Sequence, residues 1–73
     1  MKKVIRLENL DCANCASKME RNIKKLDGVI SCSIAFMTHR MTLEAEDDRF
    51  DEIVELALKE CRKVDKEVNF VGR

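Results

Sequence analysis

The chain opens with alternating apolar and polar residues. Ile5 and Leu7 fall on one side of an extended segment, with charged residues between and after them. This alternation predicts a half-buried strand over 4–10. After it the apolar spacing becomes three and four residues, which predicts an amphipathic helix over 16–26. The apolar stripe of that helix consists of Ala16, Met19, Ile23 and Leu26.

The middle of the chain returns to alternation. Gly28 follows the first helix and is placed for a left-handed helix cap. The segment 29–36 predicts a second strand, and 38–40 predicts a turn into a third strand over 41–45. The predicted inward face of the second strand consists of Cys32, Ile34 and Phe36.

A second amphipathic helix follows the third strand. Asp47 and Asp48 offer an N-cap, and Asp51 and Glu52 would favour the helix dipole from the first turn. Its apolar stripe consists of Ile53, Val54, Ala57, Leu58 and Cys61. A final short strand is expected over 67–71.

The order βαββαβ predicts an α+β, ferredoxin-like fold, in which two helices cover one face of a four-stranded antiparallel sheet. We expect a single domain over 1–73, with the first and third strands paired at its centre. The loop after the first strand should lie at one end of the sheet with its side chains open to solvent. We expect the turn that carries His39 to lie at the opposite end.

Composition and charge exclude several classes of protein. The 73 residues carry 14 Lys and Arg against 14 Asp and Glu, so no net charge attracts nucleic acid or an anionic membrane. No apolar run approaches the ~18 residues of a membrane span, and the N-terminus lacks the apolar core of a signal peptide. We therefore expect a cytoplasmic domain, and its four cysteines favour metal or redox chemistry over a disulfide framework.

The segment 11–15, Asp-Cys-Ala-Asn-Cys, joins the first strand to the first helix. Cys12 and Cys15 have the Cys-x-x-Cys spacing that lets two thiolates converge on one ion or exchange with a disulfide. Cu(I) accepts two thiolates in near-linear geometry, whereas Zn(II) prefers four donors and accepts carboxylate oxygen. Asp11 is therefore either a third ligand, which leaves one position open for transfer, or a helix N-cap.

The remaining candidate ligands are predicted to be structural. Cys32 and Cys61 fall on apolar faces and should be core residues, as should Met19 and Met41. His39 is expected to be an exposed turn residue. The basic face of the first helix adjoins the loop, and it is either ordinary solvated surface or a surface that steers an acidic partner. That face consists of Lys18, Arg21, Lys24 and Lys25.

The stretch 10–16, Leu-Asp-Cys-Ala-Asn-Cys-Ala, resembles the metal-binding loop of the heavy-metal-associated domain. This family includes copper chaperones and the N-terminal domains of metal-transporting P-type ATPases. The resemblance extends over the chain through Gly28-Val29, 34–36 and Ile53-Val54. It implies that Cys12 and Cys15 are the metal ligands.

The same resemblance bears on the choice of metal. Asp11 stands where copper members usually have Thr, Ser or His, and Asp-Cys-x-x-Cys is similar to the subgroup that exports Zn(II), Cd(II) and Pb(II), where the Asp is a ligand. The corresponding stretch of this chain, 61–66, lacks the Gly-aromatic pair that copper members tend to have after the second helix, although Arg62 or Lys63 could lie near the site and balance its charge.

The resemblance implies a non-enzymatic metal-binding domain. It would deliver Zn(II), Cd(II) or Pb(II) to, or regulate, a P-type ATPase, and it would face the cytosol. Its partners would be the metal ion, the rest of an ATPase or another metal-binding domain, and the chain itself is expected to be a monomer with no nucleic acid or direct membrane contact. A stand-alone Cu(I) metallochaperone is the alternative within the family. A thiol–disulfide oxidoreductase is the alternative from another class, although the chain has no proline and no thioredoxin-like layout.

Overall fold

A computed structural model describes residues 1–71 and confirms the predicted ferredoxin-like architecture. The elements are β1 (Lys2–Glu8), α1 (Ala13–Lys24), β2 (Val29–Ala35), β3 (Arg40–Ala45), α2 (Phe50–Val64) and β4 (Asn69–Val71). The strands form one antiparallel sheet in the order β2-β3-β1-β4, so the first and third strands pair at its centre as predicted. No helix within these residues is long and apolar enough to cross a membrane.

The core lies between the sheet and the two helices. The predicted core residues Cys32, Cys61, Met19 and Met41 are all buried there, and the buried positions of residues 1–71 are entirely apolar. The burial of the two cysteines raises the pKa of each thiol to about 12. We refer to Cys32 and Cys61 as the core thiols.

The turn that carries His39 lies at the same end of the sheet as the loop after β1, so the prediction of opposite ends was wrong. Arg6 pairs with Arg40, and the backbone N–H of Leu7 donates to the carbonyl of His39 at 2.7 Å. The reason is the crossover through α1. It returns the chain to the start of β1, so β2 runs parallel to β1 and ends where β1 ends.

The ends of the elements differ from the predictions in several places. α1 begins at Ala13, three residues earlier than expected, and ends at Lys24. Gly28 has φ of 94° but is not the helix cap; it belongs to a turn in which the N–H of Val29 donates to the carbonyl of Leu26 at 3.2 Å. The C-cap of α1 is instead Lys25, which has a right-handed conformation and donates its backbone N–H to the carbonyls of Asn22 and Ile23.

The predicted N-cap of α2 was also wrong. Asp47 and Asp48 lie in a short 3-10 turn over Asp47–Arg49, and Arg49 precedes α2 without a side-chain cap. Asp51 and Glu52 occupy the first turn as predicted. The last strand is shorter than expected, because the carboxylate of Asp65 accepts the N–H of Glu67 and holds 65–67 in a turn.

Candidate metal site

The loop between β1 and α1 is fixed at both ends and exposed between them. Asn9 adopts a left-handed conformation (φ 62°), and its side-chain amide donates to the carbonyl of Glu67 at 3.0 Å. Leu10 is buried in the core, as is Ala16 in the first turn of α1. The residues between them therefore stand at the surface on a backbone that the core holds in place.

Cys12 ends this loop and caps α1. Its backbone is extended (φ −130°, ψ 119°), and its sulfur accepts the backbone N–H of Cys15 at 3.3 Å. N-cap side chains commonly bond the third helical residue, which explains why the Cys-x-x-Cys spacing brings the two cysteines together. Both are half-buried, in contrast to the core thiols.

The two thiols have different acidities. The pKa of Cys12 lies below its usual value because its sulfur accepts hydrogen bonds from the Cys15 thiol and backbone N–H, with the charge of Lys18 adding to the effect. The pKa of Cys15 lies above its usual value, chiefly because its thiol donates to Cys12; burial and the negative charges of Cys12 and Asp65 act in the same direction. Cys12 is therefore the first of the pair to become a thiolate.

Asp11 is exposed and is not the N-cap, because Cys12 holds that position. Its carboxylate makes no hydrogen bond or ion pair with any residue of the described part of the chain. Nor does any set of three or more His, Cys, Asp or Glu side chains within residues 1–71 gather closely enough to hold an ion. The structure thus brings Cys12 and Cys15 together and leaves Asp11 next to them in sequence with its carboxylate free.

Two charged residues lie near the thiols, although the sequence did not indicate that they belong to the site. Asp65, just after α2, carries a negative charge that acts on Cys15, and Lys18 lowers the pKa of both thiols from the second turn of α1. The topology is the signal that could have found Asp65, because α2 runs parallel to β1 and ends beside the loop. Arg62 and Lys63 instead bond elsewhere, Arg62 to Val68 and Asn69 and Lys63 to Glu60.

A fold of this kind with a paired-thiol loop defines a small metal-binding domain, and comparisons with known proteins identify the family. The model of the heavy-metal-associated domain matches residues 4–69, and the chain belongs to that family.

Among curated relatives, a probable cadmium-transporting ATPase of Listeria monocytogenes is 40% identical over 45 residues, 62% of this chain and 6% of the relative. A cadmium, zinc and cobalt-transporting ATPase of Bacillus subtilis (strain 168) is 29% identical over 62 residues, 85% of this chain and 9% of the relative. The chain therefore spans less than a tenth of the length of these relatives.

Solved structures share the fold. A CopZ metallochaperone superposes with a TM-score of 0.75 at 18% identity, covering 97% of this chain and 100% of that one. The N-terminal domain of the copper(I) ATPase PacS superposes with a TM-score of 0.59 at 31% identity, covering 78% of this chain and 84% of that one. Proteins named for copper and for cadmium and zinc therefore both resemble this chain, and the family alone does not select the metal.

Proposed function

We propose that this domain binds a divalent, soft-to-borderline metal ion, Zn(II), Cd(II) or Pb(II), through Cys12, Cys15 and Asp11. It would pass the ion to a metal-transporting P-type ATPase or regulate such a transporter. The observation that carries the proposal is the open loop, in which two adjacent thiols are preceded by a carboxylate that has no partner among residues 1–71.

The donor set favours a divalent ion. Two thiolates neutralise a 2+ charge and leave its coordination incomplete, and carboxylate oxygen is a common third donor to Zn(II). Because no residue in the described part of the chain bonds to the Asp11 carboxylate, it can turn toward the thiols without losing a hydrogen bond there. Lys18 favours the thiolate forms at both cysteines, which lowers the proton competition that an incoming metal meets.

The open geometry favours transfer over permanent storage. Structural zinc sites are usually closed by four protein ligands, whereas three ligands leave a position for the donor of a partner. The loop also lies beside the basic face of α1, which would attract an acidic partner surface. The cadmium- and zinc-transporting ATPases among the relatives are consistent with this direction.

A Cu(I) metallochaperone is the second candidate. It is favoured by one observation, that Cys12 and Cys15 are in contact while no third His, Cys, Asp or Glu of residues 1–71 completes a metal-binding group with them. Two thiolates are sufficient for Cu(I). The similarity to the copper(I) ATPase domain at 31% identity is consistent with it.

Competition titrations against calibrated chelators would separate the two candidates. Under the divalent proposal, Asp11→Asn weakens Zn(II) and Cd(II) binding by about tenfold or more, because it replaces a charged ligand by a neutral one. The same substitution changes Cu(I) binding by less than about threefold, since Cu(I) needs only the thiolates. Amide shifts on addition of Zn(II) should centre on 11–16.

Asp48→Asn is the matched control, because it removes an exposed carboxylate that belongs to the 3-10 turn before α2. It should leave every metal affinity unchanged. Equal loss of Zn(II) and Cu(I) affinity in Asp11→Asn, or no loss of either, would overturn the role of Asp11 in metal selection. Retained binding in a Cys12→Ser, Cys15→Ser double variant would overturn the site itself.

A further inference from the structure

One face of the sheet is covered by the two helices, and the other face is open. Along β1 the residues that alternate with the buried Ile5 and Leu7 point to the open face. Arg6 is one of them, and it pairs directly with Arg40 of β3. Both side chains are exposed, so the open face carries two arginines side by side on the two central strands.

The hydrogen-bond pattern makes this the closer kind of strand pair. At the next position along the two strands, the backbone N–H of Leu7 donates to the carbonyl of His39. Because hydrogen-bonded and non-hydrogen-bonded pairs alternate, Arg6 and Arg40 form a non-hydrogen-bonded pair, in which the Cα atoms are about 4.5 Å apart. Like charges directly opposite each other in a sheet repel and destabilise it.

No neighbouring side chain neutralises the arginine pair. The residues beside it in the same row of the sheet are Ala35 on β2 and Val71 on β4, which carry no charge. The nearest carboxylate along the open face of β1 is that of Glu8, which is also exposed. Within residues 1–71, the side chains of these two arginines form no hydrogen bond or ion pair with Glu8 or with any other group.

We propose that Arg6 and Arg40 bind an acidic segment of a partner protein, with one carboxylate on each guanidinium. A guanidinium matches a carboxylate with two parallel hydrogen bonds and is weakly hydrated, which suits an interface. Bound carboxylates would also offset the repulsion between the two arginines. In an extended segment every second side chain lies on the same side, about 7 Å apart, so a Glu-x-Glu pattern fits two adjacent arginines.

The arginine pair lies at the end of the sheet from which β1 leads into the metal loop, and Arg6 is five residues before Asp11. The surface is separate from the basic face of α1, because α1 covers the opposite face of the sheet. A partner held at the arginine pair would have a neighbouring part beside the loop. That consequence rests on the function proposed above, whereas the binding of an acidic segment requires no metal.

An NMR titration of the metal-free, reduced protein with the blocked peptide Glu-Ser-Glu tests the proposal. Low ionic strength is used because surface charges are then least screened. We expect the side-chain Nε–H signals of Arg6 and Arg40 to shift together and to saturate, and the neutral peptide Gln-Ser-Gln should leave them unchanged. Arg6→Gln or Arg40→Gln should weaken binding of the acidic peptide by about three- to fivefold, the size expected for one exposed ion pair.

Arg21→Gln is the matched control, because it removes the same charge from an exposed position on α1. It should change the binding constant measured at the arginine pair by less than about twofold. Glu8→Gln removes the nearest carboxylate and should tighten peptide binding by about twofold. All these positions are exposed, so the fold should tolerate each change, which circular dichroism would verify.

Three results would overturn the proposal. Equal weakening by Arg21→Gln and Arg6→Gln would mean that the peptide responds only to the overall charge of the domain. A peptide that shifts neither arginine signal would show that the pair does not bind carboxylates. Inorganic sulfate that saturates the pair while the peptide does not would show a site for a small anion rather than for an acidic protein segment.

Discussion

Gly28 belongs to the turn between α1 and β2, at a position where any side chain would be strained. Its φ of 94° lies in the region that L side chains rarely adopt. A Cβ built on Gly28 would also lie 2.8 Å from Cδ1 of Ile53, a residue fully buried in the first turn of α2. Gly28→Ala therefore introduces two separate costs, one in the backbone and one in the core.

The two costs can be estimated separately. A non-glycine residue in a left-handed conformation costs about 1–2 kcal/mol. Overpacking a core by one methyl group costs about 1–3 kcal/mol. We expect Gly28→Ala to lower the free energy of unfolding by about 2–5 kcal/mol, a large share of the stability of so small a domain.

A double-mutant cycle with Ile53→Val separates the two costs. Valine lacks Cδ1, and the next contacts of the added methyl, at 3.4 Å to Arg49 and 3.7 Å to Cγ1 of residue 53, are tolerable. Ile53→Val alone should cost about 0.5–1.5 kcal/mol. In that background Gly28→Ala should cost only the backbone term, about 1–2 kcal/mol.

Urea unfolding of the metal-free protein, followed by far-ultraviolet circular dichroism, gives all four free energies. If Gly28→Ala costs the same in both backgrounds, the contact with Ile53 contributes nothing and the steric reasoning is wrong. A cost below about 0.5 kcal/mol in the wild-type background would also refute the strain assigned to the left-handed backbone.

Three further predictions concern the thiols. Lys18→Gln should raise the pKa of Cys12 and Cys15, because it removes a positive charge that favours both thiolates. Thiolate absorbance should then appear at higher pH, and metal titrations at several pH values should show binding that begins at higher pH. Unchanged absorbance curves would contradict the role of Lys18. Asp65→Asn should lower the pKa of Cys15, and thiolate absorbance should show the second ionisation of the pair at lower pH than in the wild type. Burial raises the pKa of each core thiol to about 12, whereas the pKa in the unfolded chain is the ordinary 9.0. The free energy of unfolding should therefore be unaffected by these thiols below pH 9.0 and should fall as the pH rises from there toward about 12. Urea unfolding should show a loss of about 1.4 kcal/mol per pH unit for each core thiol, which a variant with alanine at both positions would lack.

The periodic parts of the chain could be predicted from the sequence, because each element buries one face. Alternation located β1 and β3, and the apolar spacing of α1 and α2 placed Met19 and Cys61 in the core. The helix ends were less predictable, since Cys12 caps α1 with a sulfur while the aspartates before α2 cap nothing.

The surroundings of the thiols depend on three-dimensional neighbours that no local pattern records. Asp65 is 50 residues from Cys15 in the sequence, and its charge reaches the thiol only because β1 and α2 end at the same side of the sheet. The His39 turn was misplaced for a related reason: its position follows from the direction of β2, which the crossover through α1 determines.

The burial of Leu10 and Ala16 on either side of the loop has a thermodynamic consequence. Every buried residue of 1–71 is apolar, and none of the proposed ligands is among them: Asp11 is exposed, Cys12 is half-buried, and Cys15 packs against the core from a half-buried position. In zinc-finger-like domains the free energy of metal binding is largely the free energy of folding, and a chelator unfolds them. Here the buried core contains none of the proposed ligands, so folding does not depend on the ion in that way. We therefore expect the domain to stay folded when it gives up an ion to a partner, because loss of the ion removes only the stabilisation that binding adds to an already folded state.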